Sequence, residues 1–260
     1  MKKVIILNKK EGETPLEALE NFRKKNVLYK DMSMTYAGRL DPMASGLLVV
    51  LAGEECKKKE KYLILDKEYE FEILFGFATD TYDILGKIID VKQNIIKNKS
   101  ENKISKEKII LEIKNNLKYF KGKFIQKYPI YSSKTVNGKQ LFEYARSGVD
   151  VEIPEREVFV KSLSLEKIRE IKKEKLLQNI EKRIKKVKGD FRQKEILKIW
   201  NKNLKENKKT AESFLLASFK IKCESGTYVR SIANALGEKV GIPALAFSIK
   251  RTKIGKYVNI

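Results

Sequence analysis

Hydrophobic and polar residues alternate in two segments of the chain, as they do in half-buried β-strands. Apolar side chains take every second position over residues 69–75, where they alternate with Glu68, Glu70 and Glu72, and again over residues 217–223, where polar or charged residues lie between them. Residues 47–51 are instead continuously apolar and are bounded by Gly46 and Gly53, which is typical of a strand buried on both faces. These patterns predict a sheet that packs against a core.

Other segments carry the patterns of helices. Residues 15–25, 109–120 and 228–240 are predicted to be helical, and the second of these follows a polar surface loop at residues 92–108. No internal repeat is evident. The mixture of strands and helices predicts the α+β class, with a mixed, mostly antiparallel sheet flanked by helices.

The segment from residue 166 to residue 210 is strongly basic. It holds 17 Lys and Arg against 7 Asp and Glu, a surplus of about +10. Its apolar residues recur at spacings of three and four, and Gly189-Asp190 interrupts the run. We therefore expect a basic helical insertion, residues 166–210, within one domain that spans residues 1–260. Such an insertion is either a binding surface or a solvated excursion without a function.

Composition limits the possible chemistry. The 260 residues include no His and two Cys, which excludes Ser-His-Asp and Cys-His sites and any imidazole zinc site. Two Cys cannot form a disulfide scaffold, and no apolar run is long enough for a signal peptide or a membrane span, so we expect a cytoplasmic protein. The net charge of +22 indicates a polyanionic partner, with a membrane surface or biased codon usage as the alternatives.

One carboxylate lies where chemistry could use it. Asp41 is placed between Gly38 and Gly46, just before the continuous apolar run. The glycines allow tight turns or the close approach of a ligand, and Pro42 fixes its own φ angle. From these residues alone, Asp41 is either a preorganised catalytic carboxylate or a turn residue, because Asp-Pro commonly starts turns.

The segment GRLDPMASGLL at residues 38–48 resembles the catalytic motif of pseudouridine synthases. Further segments are similar to the TruB family, the tRNA uridine-55 synthases, in the same order: KEY at 67–69, FGFATDTYDILG at 75–86, QKYPIYSSK at 126–134, EYARSG at 143–148 and CESGTYVR at 223–230. The resemblance covers about residues 2–165 and 213–256. It implies the pseudouridine-synthase fold.

The resemblance also implies roles for individual residues. Asp41 matches the nucleophile, Tyr69 the aromatic ring that packs on the target uracil, and Arg230 the cation paired with Asp41. Tyr69 is also a candidate base. Substrate-binding positions follow from the same motifs: Tyr36, Gly38, Arg39, Leu40, Asp80, Tyr131, Lys134 and Tyr228. The reaction cuts the C1′–N1 bond of uridine and rejoins the ribose to C5, so it is expected to need no cofactor and no metal. Whether Asp41 attacks the ribose or the base stays open.

The implied partner is the T arm of tRNA, whose target uridine must be flipped out of its stack. The protein is expected to be a monomer with no protein partner and no association with a membrane. Tyr36 stands where relatives usually carry His, and we expect it to keep the stacking role. The chain stops at Ile260, where many relatives continue into an RNA-binding PUA domain, so we expect the basic insertion to grip phosphates instead. The alternatives are a synthase acting on ribosomal RNA and a non-catalytic module that binds or folds tRNA.

Overall fold

The computed structural model describes residues 2–92, 106–207 and 210–258. Most of the loop predicted at residues 92–108 lies outside these ranges. Within them, no helix combines the length and the apolar character that a membrane crossing needs.

A large mixed sheet forms the centre of the described residues. Its order is β1-β3-β12-β4-β11-β10-β7, with β2 added to β3 and β13 added to β12. All of its strand pairs are antiparallel except β12 with β3. The strands of the large sheet are β1 (Val4–Lys9), β2 (Met34–Ala37), β3 (Ala44–Ala52), β4 (Lys67–Phe75), β7 (Gly122–Lys127), β10 (Glu155–Lys172), β11 (Ser213–Cys223), β12 (Ala244–Ile254) and β13 (Tyr257–Val258). Two small hairpins pair β5 (Phe77–Thr79) with β6 (Ile88–Val91) and β8 (Thr135–Val136) with β9 (Lys139–Gln140).

Helices cover this sheet, which confirms the predicted α+β class. They are α1 (Pro15–Lys25), α2 (Lys59–Leu63), α3 (Lys106–Asn116), α4 (Leu141–Ser147), α5 (Lys173–Ile184), α6 (Gln193–Asn201) and α7 (Val229–Val240). The three helices predicted first are present. Thr14 caps α1 in a capping box with Glu17, and the predicted helix at 109–120 is α3 followed by a 3₁₀ turn at Leu117–Phe120.

The three predicted strands are also confirmed, as β3, β4 and β11. The continuous apolar run lies in β3, where each residue from 47 to 51 is fully buried. The strand is buried on both faces because alternate residues pack into two separate core clusters. Leu48 and Val50 belong to one cluster, and Leu47, Val49 and Leu51 belong to the other.

The predicted helical insertion is wrong at its N-terminal end. Residues 166–172 belong to β10, which pairs with β11 as far as Lys172 opposite Ser213. A bulge between Leu165 and Lys167 adds one residue to the strand. Inward side chains at Leu165 and Ile168 are therefore three apart, which imitates helical spacing. The helical part begins at Lys173.

Residues 173–206, here called the basic hairpin, comprise α5, α6 and a π-helical turn at Lys202–Glu206. Its apolar side is not solvated. Leu176, Ile180, Ile184, Ile196 and Trp200 are fully buried in a cluster that includes Phe77, Leu85 and Leu216. Since burying each large apolar side chain stabilises a fold by about 1.5–3 kcal/mol, the hairpin is part of the core and only its outer face is available for binding.

Candidate active site

A cavity of about 660 Å³ opens beside the ends of β2, β3 and α7. Most of the residues that the motifs singled out line it, from several distant parts of the chain. They are Tyr36, Gly38, Arg39, Leu40, Asp41, Tyr69, Tyr131, Tyr228 and Arg230. The fold therefore gathers these residues into one site large enough for a nucleobase with its ribose.

Asp41 sits in a tight turn that joins β2 to β3. The amide of Ala44 donates to the carbonyl of Asp41 at 3.0 Å, which closes a turn with Pro42 at its second position. Gly46 then has φ +105°, and a Cβ there would lie 2.2 Å from the carbonyl oxygen of Arg251. Only glycine permits this approach of β3 to β12, so the turn is fixed from behind and Asp41 is held at the cavity.

Arg230 holds the Asp41 carboxylate with both arms of its guanidinium. Its Nε donates to Oδ2 at 2.7 Å and its Nη2 donates to Oδ1 at 3.1 Å. Arg230 lies in the first turn of α7, and its side chain is only 3% exposed, against 38% for Asp41. The burial shows that Arg230 is no surface charge, and the paired fork fixes the carboxylate in one orientation.

Further acceptors complete the surroundings of Arg230. Its Nη1 donates to the carbonyl of Thr81 at 2.5 Å and its Nη2 to the carbonyl of Tyr131 at 3.2 Å. The buried carboxylate of Asp83 lies 3.9 Å from its Nε. Burial raises the pKa of Asp83 above its ordinary value, and the positive charge of Arg230 opposes that rise. Two carboxylates thus share one buried cation.

Asp83 is held in place by its own loop. Its Oδ1 accepts hydrogen bonds from Thr81 Oγ1 at 2.8 Å and from the amide of Leu85 at 2.9 Å. The carbonyl of Asp83 also accepts from the Thr79 hydroxyl at 2.6 Å. These bonds explain the spacing of Thr79, Thr81 and Asp83 in TDTYD, since each of these three side chains closes the loop onto a neighbour two to four residues away.

Tyr69 lines the cavity from β4 and is partly buried. Burial raises the pKa of its hydroxyl, and the nearby guanidinium of Arg251 partly offsets the rise. The phenol therefore stays protonated at neutral pH. A neutral ring suits stacking and hydrogen-bond donation, whereas the role of a base would require an ionised phenol, which this environment disfavours.

Arg251 is a second buried arginine at the site, and sequence reasoning missed it. It is 1% exposed, and it donates to the carbonyls of Leu47 at 2.8 Å, Arg39 at 3.3 Å and Gly38 at 3.2 Å. It thereby ties the Gly38–Arg39 backbone to β12. The sequence did hold a signal for it. Arg251 occupies an inward position of β12, where the other inward residues are apolar, and an arginine at such a position indicates a buried charge with partners.

Two buried lysines add positive charge behind the site. Lys9 Nζ donates to the carbonyls of Lys10 and Glu13 at 3.0 and 2.6 Å, and Lys67 Nζ to that of Leu63 at 2.5 Å. Burial lowers the pKa of each to about 8. The charge of Asp41 works against this fall at Lys9. Lys67 opens the KEY motif and lines the cavity, but no role was predicted for it from sequence, and Lys9 lies outside the motifs.

Tyr36 and Tyr228 also line the cavity. Tyr36 lies on β2 with the ammonium of Lys59 5.8 Å from its ring centroid. Tyr228 precedes α7, and its backbone amide and carbonyl are both bonded to the side chain of Gln126, at 2.8 and 3.1 Å. Both residues are therefore held by backbone hydrogen bonds where their side chains line the cavity.

Asp80 and Lys134 are placed differently from the other predicted binding residues, because neither lines the cavity. Asp80 accepts two hydrogen bonds from Arg192, at 2.7 and 3.3 Å, and one from the amide of Lys87 at 2.8 Å. The ammonium of Lys134 lies 5.5 Å from the ring centroid of Tyr128. Asp80 is therefore engaged in contacts within the protein.

The described residues hold no group of three or more Cys, Asp or Glu side chains arranged to bind a metal ion. What the site offers is an oriented carboxylate, a buried guanidinium and aromatic walls. An oriented carboxylate at an open cavity can act as a nucleophile, and aromatic walls can stack on a planar ligand.

Comparison with known proteins identifies similar chains. Residues 25–191 match the family model described as TruB family pseudouridylate synthase (N terminal domain). The tRNA pseudouridine synthase B of Lactobacillus acidophilus is 34% identical over 248 residues, covering 95% of this chain and 67% of that protein. The protein of the same name from Bacillus subtilis is 32% identical, covering 98% of this chain and 65% of that protein.

Solved structures share the fold. A Cbf5-Nop10-Gar1 complex contains a chain that superimposes with a TM-score of 0.54 at 19% identity, covering 99% of this chain and 50% of that one. An H/ACA RNP bound to a substrate RNA containing 2′-deoxyuridine gives 0.52 at 18% identity, covering 99% and 49%. This chain thus spans about two thirds of the length of the two curated relatives and about half of the chains in the two structures.

Proposed function

Because this chain belongs to the TruB family of pseudouridylate synthases, we propose that it isomerises a uridine in the T arm of tRNA, uridine 55, to pseudouridine. The observation that carries the proposal is the Asp41 carboxylate, gripped through both oxygens by a buried arginine at the cavity. Such a pair supplies a nucleophile that is oriented before substrate arrives.

In the proposed reaction Asp41 attacks either C1′ of the ribose or the ring of the uracil. The attack forms a covalent bond to Asp41, and the C1′–N1 bond breaks. The freed uracil turns, a new C1′–C5 bond forms, and the bond to Asp41 is broken so that its carboxylate is regenerated. The proton on C5 leaves and N1 gains one, so substrate and product are isomers and nothing is oxidised or reduced. Arg230 stays charged throughout and keeps the carboxylate in position.

The cavity walls are suited to keeping the detached uracil from escaping. Tyr69 on β4, Tyr36 on β2 and Tyr228 before α7 all line the cavity. An aromatic face stacks on any planar base and excludes water from the site. Because burial disfavours the phenolate of Tyr69, we assign Tyr69 the stacking role alone. The proton on C5 passes to a water molecule once the new bond has formed, and N1 takes its proton from water.

RNA must approach the cavity across a positively charged rim. Lys185, Lys186 and Lys188, here called the rim lysines, are exposed after the C-terminus of α5. The backbone of Lys186 packs against Gly12, whose amide donates to the carbonyl of Pro42 next to Asp41. We propose that these lysines contact phosphates that flank the flipped uridine.

The other end of the hairpin offers a matched set of charges. Lys198, Lys202 and Lys205, here called the distal lysines, are exposed along α6 and the π-helical turn. They lie towards the end of α6 remote from Arg192, which lines the cavity. They have the same charge as the rim lysines and serve as their control.

Incubation with unmodified transcripts tests the proposed function. Pseudouridine is mapped by carbodiimide-blocked primer extension on a tRNA transcript, on the same transcript with cytidine at the T-arm position, and on ribosomal RNA. The proposal predicts one stop, at the T-arm uridine, which the cytidine transcript lacks. A stop confined to ribosomal RNA would favour the other synthase class, and no stop on any RNA would favour a non-catalytic binding module.

A further inference from the structure

The basic hairpin grips the loop that supplies the partners of Arg230. Three contacts from α6 and the residue before it reach residues 80–87. Arg192 binds the carboxylate of Asp80 at 2.7 Å, Glu195 binds the ammonium of Lys87 at 2.7 Å, and the indole of Trp200 donates to the carbonyl of Ile84 at 3.2 Å. The loop that carries Thr81 and Asp83 therefore rests on the hairpin along its whole length.

Arg192 also reaches a second loop of the site. Its guanidinium carbon lies 4.3 Å from the ring centroid of Tyr131, a distance at which a cation is attracted to the ring face. The backbone carbonyl of Tyr131 accepts a hydrogen bond from Arg230 at 3.2 Å. Asp80 immediately precedes Thr81, whose carbonyl accepts another hydrogen bond from Arg230 at 2.5 Å. One side chain thus bridges both loops that hold the arginine of the active site.

The backbone of Arg192 is itself unusual. It has φ +61° at the residue before α6, a conformation that most residues with a side chain avoid. Its amide donates to the side chain of Asp190 at 3.2 Å. This turn aims the side chain away from the hairpin and into the cleft between the two loops, with only 21% of it exposed.

We propose that Arg192 is a positioning residue for the reaction, and that the basic hairpin thereby fixes Arg230 and Asp41 in reacting geometry. This inference rests on the proposed function. Arg192 reaches Arg230 by two routes. It binds Asp80, whose neighbour Thr81 accepts a hydrogen bond from Arg230, and it contacts the ring of Tyr131, whose carbonyl accepts another. Loss of the bridge releases two of the acceptors that orient Arg230, so the direction of the Asp41 carboxylate is less well fixed.

The inference separates chemistry from binding. Displacing a catalytic group by about 1 Å can lower the rate on the order of 10²-fold. Removing a side chain that only contacts RNA phosphates instead lowers the affinity for RNA. Arg192→Ala is therefore expected to lower the single-turnover rate constant by about 10- to 100-fold and to leave the Kd for tRNA within about 3-fold. Arg192→Lys keeps the charge but loses the planar fork, and it should fall between the two.

The experiment measures the single-turnover rate constant, the Kd for tRNA and the unfolding midpoint of the wild-type protein, Arg192→Ala, Arg192→Lys and Lys198→Ala. Lys198 is exposed on the same helix and serves as the charge control. Asp80→Asn, which removes the charge and one of the two oxygen acceptors from the other side of the same bridge, replaces Arg192→Ala if that variant does not fold. The expected result is a slower rate at near-unchanged Kd, partial rescue by lysine and a normal Lys198→Ala protein.

Two results would overturn the inference. One is an unchanged rate constant together with an unchanged Kd in Arg192→Ala, which would give Arg192 no role; the other is an unchanged rate constant with a weakened Kd, which would make Arg192 a direct RNA contact. Neither touches the proposed function, because the wild-type rate is measured in the same series. A wild-type protein without turnover on tRNA would instead overturn the proposed function and this inference together.

Discussion

Replacement of Arg230 by methionine is the most informative change to the site, because it removes a buried cation while keeping most of the side-chain length. Arg230 is 3% exposed and donates four hydrogen bonds, two to Asp41 and two to backbone carbonyls. Methionine can replace none of them. The substitution leaves Asp83, whose side chain is 7% exposed, beside an apolar group.

The expected loss of stability follows from which partners can return to water. Removing one member of a buried ion pair typically costs about 3–5 kcal/mol. Asp41 is 38% exposed and can be hydrated again, so most of the cost arises from Asp83 and the carbonyls of Thr81 and Tyr131. We therefore expect a loss near the lower bound, about 3 kcal/mol at pH 7.

The loss should depend on pH with a definite sign. Burial raises the pKa of Asp83, and Arg230 opposes that rise, so removing Arg230 raises this pKa further. A carboxyl group with a higher pKa in the folded chain binds protons more tightly there than in the unfolded chain. Stability then falls as pH increases from the unfolded pKa of about 4 through the folded value. The deficit of the variant should be smallest near pH 4 and largest at neutral pH.

Urea unfolding of both proteins between pH 4 and pH 7 measures this deficit. Arg169→Met is the control, since Arg169 forms a partly exposed pair with Glu72 at 2.9 Å and should lose no more than about 1 kcal/mol. A deficit for Arg230→Met that is the same at every pH, or no larger than that of the control, would refute the assignment of Asp83 as a carboxyl group dependent on Arg230.

Three further outcomes are expected. Changing the three rim lysines to glutamine should weaken tRNA binding. It should also lower the slope of log Kd against log salt concentration, measured by filter binding, by about 0.7–0.9 per lost phosphate contact. The same change to the distal lysines should leave the slope unchanged. Tyr36→Ala should weaken binding or slow turnover of a T-arm substrate by the loss of stacking, about 1–3 kcal/mol, with Tyr36→Phe close to wild type; wild-type behaviour of the alanine variant in both assays would contradict the stacking role. A thiol reagent should modify the partly exposed Cys56 rapidly at pH 8 but Cys223 only on unfolding, because burial raises the pKa of Cys223 to about 11; rapid reaction of two thiols would show that Cys223 is accessible.

Alternation and helical spacing predicted most of the central strands and helices. An element that is buried on one side has apolar residues with a period of two in a strand and of 3.6 in a helix. The exception at residues 166–172 has a physical cause. A single extra residue in β10 shifts the inward positions, and a strand with a bulge cannot be told from a helix by spacing over so few residues. The pairing partner β11, which fixes the strand, lies beyond the whole basic hairpin.

The site was predictable where its residues lie in recognisable motifs, and less so where they meet only in space. Asp83 was within reach, because it lies in the same motif as Asp80. Arg192 was not, because its partners Asp80 and Tyr131 are far away in the chain and its own neighbours suggest a solvated basic helix. Contacts between an insertion and the core have no local periodicity by which sequence could reveal them.

The rate of pseudouridine formation in Asp41→Asn tests the central claim most directly, because asparagine keeps the size of the side chain and removes its nucleophilic charge. The assay follows tritium released from C5-labelled uridine in a tRNA transcript under single-turnover conditions, alongside the Kd for the same RNA. The account predicts that Asp41→Asn binds tRNA with wild-type affinity and releases no tritium. Release at a rate comparable to that of the wild-type protein would contradict the assignment of Asp41 as the nucleophile.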